Sequence, residues 1–226
     1  MMKVKQLVIG LLSVLLFAGC HKGVNLTDSD KVEQGRIFQF YKAKCDAENG
    51  KMEVTAVFRL DHRSGEQLRL TDPSKVTVNG QEMEMNDKGE YTFSIGKYQQ
   101  VIPFEYTNNN RQQFKNSIIT NTIAFNQENI TLNKSKTNHV AIKAEPFEDS
   151  ESVSCMLTKD NETVEIDFDF ENGRLTIMPE ILEPMQAGEY TARLVRKNYG
   201  YQLNALERGG EWESQYVSPS KKITIQ

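Results

Sequence analysis

The sequence predicts an all-β protein: two tandem antiparallel β-sandwiches, preceded by an export signal and a tether. Three observations carry this. Apolar and polar residues alternate with period two in several short runs, the pattern of strands with one buried and one wet face. The dipeptides Asn49-Gly50, Asn79-Gly80 and Asn172-Gly173 lie among these runs, and they suit tight hairpins because both central residues of a type I′ turn take positive φ. The run Gly89-Glu90-Tyr91-Thr92 returns as Gly188-Glu189-Tyr190-Thr191, about one sandwich length further along.

Taken from the N-terminus, residues 1–19 differ from everything that follows. Lys3 and Lys5 form a short basic region, and Leu7 to Phe17 is apolar apart from Gly10 and Ser13. This is the layout of a secretory signal, and the apolar run of about 11 residues is too short for the ~20 that span a bilayer. Its end, Leu16-Phe17-Ala18-Gly19-Cys20, resembles a bacterial lipobox, with Phe17 where that motif usually has Leu. The resemblance implies that Cys20 is acylated, becomes the mature N-terminus and anchors the chain in the lipid bilayer. His21 follows, and the absence of Asp there implies the outer membrane if the bacterium is diderm. The expected division is residues 1–19 as signal and residues 20–34 as lipidated Cys20 with a flexible polar tether. Residues 35–125 then form a first sandwich, and residues 126–226 a second that includes the linker.

Within the body, Met52, Val54, Ala56, Phe58 and Leu60 put apolar side chains on one face of a strand. Val164, Ile166, Phe168 and Phe170 alternate with Glu165, Asp167 and Asp169, and Tyr190, Ala192 and Leu194 alternate with Thr191 and Arg193. Cys155 shares a face with Val153 and Leu157. Pro179 and Pro184 limit any helix between them to a short turn. The segments Asp87-x-Gly89-x-Tyr91-x-Phe93 and Gln186-x-Gly188-x-Tyr190-x-Ala192 resemble the start of the sixth strand of immunoglobulin-like domains. There a Tyr hydroxyl bonds back to backbone and pins a corner. The second copy fits that position. The first is followed by one strand too many, which makes its Gly-Glu-Tyr run a fifth strand.

Composition excludes several functions. With 226 residues, a net charge of −4 and three cysteines, the chain lacks the basic surface of a nucleic-acid binder and the thiols of a four-thiolate zinc site. Neither a cofactor nor a catalytic motif is expected. His21, His62 and His139 pair with no ligand at metal spacing. Cys45 and Cys155 are expected as free thiols, with an interdomain disulfide as the alternative. Glu165, Asp167, Asp169 and Glu171 are expected on one face of one strand, as a solvated edge. The amide-rich residues 108–113 are expected at a hairpin tip. Tyr199, Tyr201, Trp212 and Tyr216 lie near loops, as contacts for glycan or protein or as late-strand core. The functional expectation is a membrane-anchored envelope lipoprotein acting as a binding or scaffolding module. Its partners would be the bilayer through Cys20 and an envelope protein or glycan, not nucleic acid. The alternative is an envelope glycan hydrolase using acids such as Asp167.

Overall fold

A computed structural model of the chain describes residues 24–226 except 168, 172, 202 and 203. The signal region and Cys20 lie outside the described residues. The protein is all-β, built from strands β1 (Thr27–Asp28), β2 (Ile37–Asp46), β3 (Lys51–Leu60), β4 (Leu68–Arg69), β5 (Lys75–Val78), β6 (Gln81–Glu82), β7 (Glu84–Met85), β8 (Tyr91–Ile95), β9 (Val101–Thr107) and β10 (Gln113–Ile119) in its first part. There follow β11 (Ile123–Phe125), β12 (Ile130–Leu132), β13 (Asn138–Ala144), β14 (Glu151–Lys159), β15 (Glu162–Asp167), β16 (Asp169–Glu171) and β17 (Arg174–Ile177). A single helical turn, α1 (Pro179–Leu182), precedes β18 (Gly188–Tyr201), β19 (Gly210–Val217) and β20 (Lys221–Ile225).

Two hydrophobic clusters define two sandwiches. In the first, the sheet β2-β3-β8-β7 packs against β10-β9-β5-β6. The odd residues of β2 and the even residues of β3 point between the sheets. Tyr41 stacks on Phe104 with ring centroids 4.6 Å apart, and Phe58 lies against Tyr106 at the same separation. In the second, β11-β13-β17-β16 packs against β12-β20-β18-β14-β15, around Val140, Cys155, Leu157, Leu175 and Leu194. Strand pairing puts β8, which begins at Tyr91, in the fifth position of an immunoglobulin-like order. The Tyr190 hydroxyl donates to the Gln186 carbonyl at 2.9 Å, the local corner bond of the second sandwich. Tyr91 instead accepts from the distant Leu70 amide at 2.7 Å.

The turns follow residue chemistry. Asn79 and Gly80 take φ of 51° and 74° between β5 and β6, the two positive values of a type I′ hairpin. Asp160 and Asn161, at 50° and 68°, make the same turn between β14 and β15 without a glycine. Asn and Asp tolerate that region because their short polar side chains bond locally.

Pairing also runs across the division at residues 125 and 126. Ile123 is buried in the second cluster, and β11 pairs with β13. β18 is fourteen residues long. Its first five residues pair with β20, while residues 195–201 pair with β19. The β18–β19 hairpin therefore projects from the second sandwich, and β19 lies parallel to β2, from Gly210 beside Gln39 to Val217 beside Asp46. One ten-stranded sheet spans both sandwiches. Arg193 of β18 reinforces the seam through Asp46, as do Ser220 through Glu48 and Lys42 through Glu213. Tyr216 of β19 touches both clusters.

The tether expectation is corrected from residue 27 onward. β1 pairs in parallel with β4, Ser29 is fully buried with its hydroxyl 3.2 Å from that of Thr71, and the Gln34 amide donates to the Ser29 and Val32 carbonyls. Short polar side chains read as solvated in sequence; here they close local turns and bond to the first sandwich.

At the junction, Arg196 of β18 is 2% exposed. Its Nε and Nη2 donate to the two carboxylate oxygens of Glu151 at 3.0 and 2.6 Å. The remaining N–H groups reach the carbonyls of Thr122 and Glu145, both at 3.1 Å, and Pro146, at 2.8 Å. Its guanidinium lies over the Phe147 ring at 4.1 Å. Burial acts to raise the Glu151 carboxyl, but hydrogen bonds from Arg196, the Glu148 amide and Asn121 hold it below its ordinary value. Replacing Arg196 by Leu would leave this carboxylate buried without its cation. The expected cost is about 3–5 kcal/mol in urea unfolding; a loss below about 1 kcal/mol would contradict the assignment. Because the native carboxyl binds protons less readily than the unfolded one, its contribution is complete above the unfolded value of about 4.3. It is lost as pH falls through the lower native value. Glu151→Gln should flatten that part of the pH–stability profile.

Candidate functional site

The hairpin that joins the sandwiches also builds a concave surface. Along β9 and β10, alternate residues face out from the first sandwich, so Val101 stands beside Ile119, Pro103 beside Ser117 and Glu105 beside Lys115. The last pair forms an ion pair at 3.4 Å. These residues, the hairpin residues Tyr199, Gly200, Tyr201 and Trp212, and Glu148 and Ser150 of the second sandwich line a groove of about 770 Å³. That volume lies within the range of small-molecule sites. Tyr199 is 44% exposed and Tyr201 79%, and Val101 and Ile119 are exposed beside them.

Two local devices fix the groove. Gly200 pairs with Trp212, whose ring lies so close over it that a Cβ at Gly200 would overlap the indole. Only glycine leaves room for that ring, which also packs against the first core. Asn116 of β10 then binds the hairpin end: its amide donates to the Asn204 carbonyl at 2.7 Å, and its carbonyl accepts from the Asn204 amide at 3.1 Å. The Asn116 side chain thus pairs with the hairpin backbone and ties the hairpin to β10.

The sequence singled out Tyr199, Tyr201 and Trp212, and the structure brings these three to one groove. Tyr216 lies elsewhere, edge-on to Tyr98 at 5.7 Å between the two cores. Val101, Ile119, Lys115 and Asn116 were missed. Their signal was present, since Val101 and Ile119 are apolar on the outward phase of their strands, but a groove needs the hairpin to arrive from about 80 residues away.

Other expected features serve structure. The acidic run does not share one strand face: β15 pairs with β14, whereas β16 pairs with β17 in the other sheet. The chain changes sheets within the run, so Asp167 and Asp169 belong to different layers. Glu165 accepts from the Ser154 hydroxyl at 2.6 Å and from Lys197 at 3.0 Å, and these bonds lower its carboxyl pKa. The hydrolase alternative loses the shared acidic face from which it was drawn. Residues 108–113 lie at the tip of the β9–β10 hairpin, with residues 110–113 exposed, but its first two residues turn inward. Asn108 is fully buried, and Asn109 donates from its side chain to the Thr71 carbonyl at 2.9 Å and from its backbone to Gln34 at 3.0 Å. Cys45 and Cys155 are free thiols in separate cores. Burial raises Cys45 to about 11, with Asp46 adding to it, and raises Cys155 to about 12. The His62 and His139 rings lie 3.1 and 3.3 Å from the hydroxyls of Ser64 and Thr176. Among the described residues no His, Cys, Asp and Glu group could hold a metal, and no helix is long and apolar enough to cross a membrane.

No family model and no curated protein matches the chain. Similar solved structures include a tandem segment of titin, at 11% identity and a TM-score of 0.27 over 83% of this chain. Another is a structure of a bacterial ice-binding adhesin, at 11% identity and a TM-score of 0.20 over 84% of this chain. The chain spans 66% and 65% of those two chains, just under two thirds of each.

The Gly200–Trp212 contact gives a direct test. Trp212 is the sole tryptophan, so emission reports this position alone. Gly200→Ala should displace the ring toward water and shift emission to the red; an unchanged spectrum would show that the ring does not depend on the missing Cβ.

Proposed function

We propose that the chain is a lipid-anchored binding module of the cell envelope. Cys20 carries the acyl chains, and the groove at the hairpin receives the partner. The observation that supports the reading most is the pair of exposed tyrosines, Tyr199 and Tyr201, beside Val101 and Ile119 in a concavity. Exposed aromatic side chains are common anchors of recognition because a large apolar face ends in a polar tip. Two further features support binding over bond-breaking chemistry: the buried, high-pKa thiols and the division of the acidic run between sheets. The anchoring half of the reading rests on Lys3, Lys5, the apolar run and Ala18-Gly19-Cys20. Two or more acyl chains hold a protein stably on a bilayer, where one alone is marginal.

Each half has its own test. Metabolic labelling with an alkynyl palmitate should mark the full chain and be lost in Cys20→Ala. Equal labelling of both would contradict anchoring at Cys20. A photo-crosslinking phenylalanine in place of Tyr201 should capture envelope material in intact cells, and the same probe in place of Lys51, far along β3, should not. Equal capture at both positions would contradict the groove as the binding face.

A further inference from the structure

We propose that the groove binds a linear, uncharged oligosaccharide, recognised by side-chain faces rather than by strand pairing. The inference rests on the binding-module reading above and names its ligand class. An extended peptide would need a free strand edge for main-chain bonds. The edge that the hairpin brings to the groove is too short for one. β18 is covered by β14 up to Asn198, which leaves only Tyr199–Tyr201 unpaired on that side among the described residues, less than the five or six residues of an ordinary strand.

Side chains offer what a sugar ring needs. A pyranose presents C–H groups on its faces and hydroxyls around its rim, so it matches an aromatic face flanked by polar groups. Tyr199 and Tyr201 are separated by one residue along β18, about 7 Å apart, which spaces two exposed rings along one direction. The polar lining includes Thr77, Ser117, the carboxylate of Glu148 and Ser150, whose hydroxyl donates to Asn198 and can still accept. The charges on the groove floor neutralise each other, because Lys115 is paired with Glu105. Among the described residues a strongly anionic chain finds no free cation on that floor, and it meets Glu148. Val101 and Ile119 form an exposed apolar step opposite each other. An acetamido methyl would cover it better than a hydroxyl would.

The test titrates the protein, from residue 20 onward with Cys20→Ser to remove the anchor, with chitotetraose and with cellotetraose, which share a β-1,4 backbone. Trp212 lines the groove, so its emission is the readout. Chitotetraose should give a saturable change and bind more tightly than cellotetraose. Tyr201→Ala should weaken it about tenfold, the effect of roughly 1.4 kcal/mol, while the urea midpoint stays put because Tyr201 is so exposed. Val101→Asp should abolish the preference for the acetylated chain. No emission change with either sugar, confirmed by the absence of chemical-shift changes at Tyr199 and Tyr201, would overturn the proposal. So would equal binding by Tyr201→Ala. If the crosslinker at position 201 still captures a protein while both sugars fail, the binding-module reading stands and the saccharide assignment falls.

Discussion

Arg196 is the point on which the arrangement of the two sandwiches depends. Its guanidinium is buried and all five N–H groups are engaged, so it draws together the end of the first sandwich at Thr122, the loop at Glu145 and Pro146, and Glu151 at the head of β14. A buried ion pair adds little net stability, since desolvation offsets most of the attraction. Its effect is selective: an arrangement that separates these segments leaves a charge or several carbonyls buried without a partner. Asn121 and Thr122 carry the same logic onward, through Glu151 at 3.2 Å and Glu145 at 2.9 Å. The interdomain connection is therefore a set of satisfied polar groups, not a slack linker.

With that junction fixed, β18 can run straight through it. Its first third closes the second sandwich against β20, and its last part carries the hairpin back to β2. Edge strands invite pairing with foreign chains. Here β19 covers the edge of β2. The same geometry leaves Tyr199 and Tyr201 uncovered at the mouth of the groove. Closing the β2 edge and exposing the aromatic pair are two results of one hairpin.

Much of this was legible along the chain. Period-two runs located β3, β14 and the start of β18 because burial alternates with pleat, and β2 and β9 show the same alternation in the fold. Asn79-Gly80 marked its turn because positive φ favours those residues, whereas Asp160-Asn161 was passed over for lack of a glycine. The acidic run looked like one strand because alternation continues unbroken through Phe168; a change of sheet leaves no mark on side-chain period. Residues 27–34 and 108–109 looked solvated because their polar side chains find partners that composition does not reveal, in local turns and in segments far off in sequence. The parallel β19–β2 seam was illegible for a related reason, since nothing in residues 210–217 names the strand they join. The tyrosines of the groove were visible as residues, but not as a site.

The central claim is that the β18–β19 hairpin is a structural member of the first sandwich's sheet. Amide hydrogen exchange along β19 tests it most directly. The account predicts that the amides of Gly210–Val217 that bond to β2 are protected to the same degree as those of β3, near the limit set by global unfolding. Exchange at those amides as fast as in the exposed turn at Arg63 and Ser64 would show that the hairpin is not held, and would contradict it.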